Sequence, residues 1–166
     1  MEDDAAVVAR QLGRPVRAFR RVVCRCPFGR PAVTEQAPYA LDGDPFPTTY
    51  YLTCPHLVAR VSRLEAAGGV ERWSARAAAE PELAASLAQA TDEQRALRLA
   101  LADGAVGADG GSSLALGIAG AAKPEQLKCL HAHVAFALAR PGYRLGEAIL
   151  AEVGSPWPEA ACCTPQ

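Results

Sequence analysis

The sequence predicts an α+β fold, with a small N-terminal β-hairpin or three-stranded sheet packed against a mostly helical C-terminal part. Two observations carry that expectation. Before residue 54, β-branched and aromatic residues gather in short runs between proline, glycine and aspartate turns, as strands do. After it, leucine and valine recur at intervals of three and four, as on one face of a helix. The chain has 166 residues, a length suited to one domain, set at 1–154, with 155–166 as a disordered tail. Half of it is apolar, 21% is charged and the formal net charge is −1, so composition describes a globular protein and gives no clear nucleic-acid signal.

In order, Asp3 or Asp4 caps a first helix that runs to about Leu12, where Gly13, Arg14 and Pro15 stop it. Val16 to Cys24 is an imperfectly alternating strand, Cys26-Pro27-Phe28-Gly29 a turn, and Ala32 to Gln36 the returning strand. Three prolines and an Asp-Gly step between Pro38 and Pro47 make an ordered loop before a strand at Thr48 to Thr53. Pro55 then opens a helix with Leu57, Val58, Val61 and Leu64 on its apolar side, closed by Gly68-Gly69.

A short helix around Val70, Trp73 and Ala77 precedes a long helical span from Pro81 to Ala102, which Thr91 and Gln94 could divide near Ala90 as a capping box. Small residues and glycines fill 103–122 as a connection. Pro124 is expected to start a helix through Ala139, and a last helix runs from about Leu145 to Val153.

Cysteine and histidine positions draw the chemistry. The N-terminus, Met1-Glu2-Asp3-Asp4, lacks the apolar core of a signal peptide, and no apolar run reaches membrane-spanning length, so the expected setting is cytoplasmic, without membrane association. Thiols stay reduced there, so six cysteines point to metal binding or reactivity. Cys24 and Cys26 lie at or near the hairpin tip, and Cys54 falls at a helix start, where the dipole favours a thiolate. Lys128-Cys129-Leu130-His131-Ala132-His133 places two of the three histidines beside a thiol. Cys26, Cys54, Cys129 and one of His131 or His133 match the four nitrogen and sulfur donors of a zinc site, and three thiolates with one weaker position also suit a [4Fe-4S] cluster.

On a regular helix, residues four apart share a face, which favours Cys129 with His133 and leaves His131 in the core or supporting the ligands, with the opposite assignment open because Cys129 lies only five residues after Pro124. His56 is set aside as a solvated or capping residue, and Cys162 and Cys163 as tail thiols without preset geometry. Seven of the 17 basic residues fall in the first 30 positions, and Arg25, Arg30 and Lys128 are the candidates for holding a small anionic ligand.

Four stretches also resemble one family. Cys26-Pro27-Phe28-Gly29-Arg30-Pro31, the run from Asp42 through Phe46-Pro47-Thr48-Thr49-Tyr50-Tyr51-Leu52-Thr53-Cys54-Pro55, Ser62-Arg63-Leu64-Glu65 and Lys128-Cys129-Leu130-His131 are similar to the bacterial family DUF501, over about residues 6 to 150. The family carries no assigned reaction. The resemblance implies a small cytoplasmic protein and falls on Cys26 rather than Cys24, on Cys54, and on Cys129 with His131, favouring His131 over His133. Phe136 stands where the family pattern often has histidine. Three functions follow in order of preference: a structural Cys3His metal site, zinc before iron-sulfur; a metalloenzyme with one open position acting on a small anion; and a metal-free interaction module using the arginine stripe.

Overall fold

The computed structural model describes residues 2–163, and the predicted α+β architecture is what it shows. The first helix, α1 (Asp4–Leu12), ends where Gly13 turns left-handed at φ 66°, so that Arg14 donates its N–H to the Ala9 carbonyl at 3.1 Å. Three antiparallel strands follow in the spatial order β1 (Phe19–Arg25), β2 (Pro31–Gln36), β3 (Tyr50–Leu52). β2 is central and buried at every position.

The register breaks between Phe19 and Arg21 and twice more before Arg25, which accounts for the uneven alternation of the first strand in sequence. That strand starts at Phe19 rather than Val16, and the third is confined to Tyr50–Leu52.

Five further α-helices follow the sheet among the described residues, with two short 3-10 turns at Ser112–Ala115 and Ile118–Gly120. α2 (Pro55–Ala66) leads into α3 (Gly69–Ala79) and α4 (Pro81–Ala102). α4 is one unbroken helix: Ala90 and Thr91 are buried in its middle, so Thr91 packs inward instead of capping a second start. Two side chains of α4 reach out to hold the long connections. Arg98, fully buried, donates to the Phe46 carbonyl at 2.9 Å, and Gln94 donates to the Gly117 carbonyl. Burial lowers the Arg98 pKa from its ordinary value.

α5 (Leu130–Ala139) and α6 (Arg144–Val153) close the fold. α5 crosses β3 and is buried on nearly every side, with Leu130, Val134, Ala135 and Phe136 at 1% exposure or less. Full burial of each large apolar side chain contributes roughly 1.5–3 kcal/mol. α6 lies against α5 through Gly146, where an added Cβ would meet the His133 carbonyl oxygen at 2.6 Å. The sequence expectation of a helix from Pro124 is corrected: Cys129 is extended at φ −152°, ψ 154°, and the helix begins at Leu130.

Residues 155–163 form neither helix nor strand, and Trp157 packs on the core. The expected disorder of Thr164, Pro165 and Gln166 concerns positions outside the described residues. Among the described residues no helix is long and apolar enough to cross a membrane.

Candidate functional site

The start of α5 is set by a residue 65 positions earlier. Glu65, in the last turn of α2, accepts the Leu130 backbone N–H on Oε1 at 2.6 Å, and the same oxygen lies 3.1 Å from His131 Nδ1. A helix N-terminus carries unpaired N–H groups and a partial positive charge, so a carboxylate there both caps and stabilises it. This tertiary cap overrides the proline at 124 and decides which way the cysteine and histidines face.

With Cys129 at the cap position rather than inside the helix, the same-face pairing with His133 no longer holds. His133 turns into the core, fully buried, with Nδ1 2.8 Å from the Tyr143 hydroxyl. Burial depresses its pKa to about 4, which keeps the ring neutral, and the same burial raises that of Tyr143.

His131 instead faces α2. Its Nε2 lies 3.1 Å from the Ser62 hydroxyl and 3.2 Å from the Val58 carbonyl. The Ser62, His131, Glu65 order is that of a hydrolytic triad, but the chemistry argues otherwise. Val58 O, which can only accept, stands at the same Nε2 at 3.2 Å, so that nitrogen is not reserved for the serine hydroxyl as a general base requires. Ser62 is also exposed on the helix and forms no wall of the adjoining pocket.

That pocket, about 320 Å³, is where Cys129 and His131 meet. Its other walls are mainly apolar, from Leu12, Tyr50, Leu52 and Val58. The half-buried Cys129 thiol is pushed above its ordinary pKa by burial, against the opposing pull of the Ala132 and His131 backbone N–H groups. Lys128, next in sequence, is exposed and also favours the thiolate.

Cys54 caps α2 as Cys129 caps α5, with Pro55 in the first turn. The expected dipole-lowered pKa is not what burial allows: desolvation dominates the Leu57 and His56 backbone N–H groups and lifts the thiol to about 11. Its sulfur lies 3.8 Å from Cys163 Sγ, a neighbour that sequence reasoning set aside as part of the tail. No sequence signal marks that pairing, because the two residues are 109 apart.

Cys26 is buried at the hairpin end, where its N–H donates to the Arg30 carbonyl and its carbonyl accepts from Gly29, each at 2.9 Å. Cys24 is half-buried and its thiol is likewise raised by burial. His56 is partly buried, and its Nε2 meets no hydrogen-bond partner among the described residues. Thus Cys129 and His131 share one pocket, Cys54 joins Cys163, and Cys26 belongs to the turn. Among the described residues, no three His, Cys, Asp or Glu side chains form a group suited to a metal ion.

The arginines proposed for anions are engaged within the chain. Arg25 donates to both Asp4 carboxylate oxygens, at 2.6 and 3.1 Å, and Arg30 donates to Glu2 at 3.0 Å. They border a broad groove of about 1000 Å³ between the start of α1 and β1, which the acidic N-terminal residues also line.

Three of the four stretches that resembled a family are thus joined at one end of α5, where Ser62 and Glu65 face His131 while Tyr50, Tyr51 and Leu52 border the Cys129 pocket, and the 26–31 stretch stands apart at the hairpin turn. No curated protein and no solved structure matches the chain. Over residues 22–151 it matches the family described as "Protein of unknown function (DUF501)", and it belongs to that family.

Proposed function

We propose that this protein binds a metal ion at the Cys129 pocket, with zinc as the preferred ion and an iron-sulfur cluster as the alternative. The observation that carries the reading is the Glu65–His131 pair. Histidines that ligate metals commonly give their second ring N–H to a carboxylate, which fixes the tautomer and raises the basicity of the free nitrogen. Here Nδ1 faces Glu65 at 3.1 Å, leaving Nε2 as the ligating atom beside a pocket that also holds a thiol. The metal would take the Nε2 lone pair in place of the Val58 and Ser62 contacts and replace the proton of the Cys129 thiol.

Cys54 and Cys26 are the further thiolates on this reading. Cys54 stands one turn before Val58, a wall of the pocket, and a Cys3His set would require that helix start and the hairpin end to move toward Cys129. With one position left to an outside ligand, the same site would become a Lewis acid toward a small anion, with the exposed Lys128 adjoining Cys129 in sequence.

Full-length protein purified without oxygen and without chelator, then assayed for zinc and iron, tests the proposal. Stoichiometric zinc, or a brown chain with iron and acid-labile sulfide, is expected, with loss in Cys129→Ser and His131→Ala and retention in Cys24→Ser. A wild-type chain that stays metal-free after incubation with zinc or after cluster reconstitution overturns it. So does undiminished binding in both variants.

A further inference from the structure

We infer that Cys54 and Cys163 are a thiol pair that closes into a disulfide, latching the C-terminal tail along α2. This does not rest on the metal reading, and the two compete for Cys54. The geometry begins at the end of α6. Arg60 of α2 donates to the Val153 carbonyl at 2.6 Å, fixing the place where the tail departs. The tail then turns, with Ser155 Oγ bonded to the Trp157 carbonyl at 3.3 Å and Trp157 packed on the core. It reaches the first turn of α2 at Cys163, whose sulfur is 3.8 Å from that of Cys54. The tail therefore runs back along α2 from Arg60 to the cap, a helix length of roughly 9 Å at 1.5 Å per residue.

The two sulfurs differ in access. Cys54 is buried and Cys163 exposed, so reaction begins at Cys163. With a low-molecular-weight disulfide as oxidant, the Cys163 thiolate attacks one of its sulfurs, forming a mixed disulfide and releasing one thiol. Cys54 then loses its proton to solvent and attacks Cys163 Sγ, expelling the second thiol. Two protein thiols and one small disulfide become one protein disulfide and two small thiols, and a dithiol reductant reverses the exchange. Closure of sulfurs from 3.8 Å to bonding distance of about 2.05 Å asks only for a small side-chain and tail adjustment.

The test exposes the metal-free native chain to oxidised glutathione and follows it by intact mass and peptide mapping. Expected is a loss of two hydrogens, with Cys54 and Cys163 in one linked peptide. Cleavage after the exposed Glu159 should then release residues 160–166 only after reduction. Cys54→Ser should stop at the first step and carry one glutathione on Cys163. Cys163→Ser, altered at an exposed position and hence safe for folding, should leave Cys54 unmodified, and Cys162→Ser should behave as wild type. The inference is overturned by a map linking Cys54 to Cys162, by linkage that appears only in urea, or by an oxidised chain that retains both thiols. Protection of the two thiols from alkylation that requires added zinc, with no linked peptide, would also overturn it in favour of a metal-ligand pair.

Discussion

α2 and α5 both begin at a cysteine, and the two starts behave differently because of what lies opposite each. At α2 the Cys54 sulfur is enclosed, raised to a pKa of about 11, and faces another thiol. At α5 the Cys129 sulfur is half-buried, opens onto a pocket with an imidazole, and sits beside a backbone N–H held by the Glu65 carboxylate. The same local device, a thiol at a helix cap, thus faces a second thiol in one place and a pocket lined by an imidazole in the other. The helices themselves differ too. α2 buries only Leu57 and Val61 fully, whereas α5 is enclosed on most of its surface.

The strongest way to break this contrast is through the core beneath each start. Leu130 and Leu57 are both fully buried in the first turns. Leu130→Ala should cost about 3–5 kcal/mol, because an enclosed helix cannot move to refill the space, and Leu57→Ala about 2–3 kcal/mol, because α2 has a solvent side along which to settle. Urea unfolding of the two variants measures the difference. Equal losses would mean that the enclosure of α5 gives it no special rigidity.

Next in size is an acid effect confined to α5. His133 has a native pKa of about 4 against an ordinary 6.5, so the unfolded chain takes up a proton in that interval while the native chain does not. Its contribution is complete above pH 6.5 and is lost as pH falls toward 4, at up to about 1.4 kcal/mol per pH unit. The stability of wild type should decline over that window more steeply than that of His133→Gln. Parallel profiles would show that the histidine is not held neutral by its surroundings.

The cap itself is worth less. Glu65→Ala removes a charge-assisted bond to Leu130 N–H and the partner of His131, and should destabilise by about 2 kcal/mol, with Glu65→Gln intermediate. Amide exchange at Leu130 should quicken in step, while the amides at the start of α2, which has no side-chain cap bond, stay unchanged.

That cap also marks the limit of what the sequence discloses. α1, α2 and α6 are readable to within a residue or two because their ends use local signals: Gly13, Pro55 with the glycines after Ala66, and Gly154. The start of α5 is not, because Pro124 is a strong local signal and Glu65 a remote one. An error of six residues there moved Cys129 from inside a helix to its cap and exchanged the roles of His131 and His133. His131 is the histidine that reaches the Ser62–Glu65 stretch, and His133 the one that enters the core. Cys163 was hidden for the same cause, since a contact across 109 residues leaves no periodicity to read.

The smallest change to stability, and the sharpest probe of the contrast, is the order in which the thiols react. A group with a pKa of about 11 is thiolate to only roughly one part in a thousand at pH 8, and alkylation follows the thiolate. Cys54 should therefore be the slowest of the three, Cys129 intermediate because its pocket admits a small reagent although burial still raises its pKa, and exposed Cys163 the fastest. Raising the pH from 8 to 10 should accelerate Cys54 about a hundredfold, in proportion to its thiolate. Rates resolved by mass spectrometry of peptides from briefly labelled native protein give all three at once. If Cys54 reacts as fast as Cys163, the tail does not cover the start of α2, and the two helix caps are chemically alike after all.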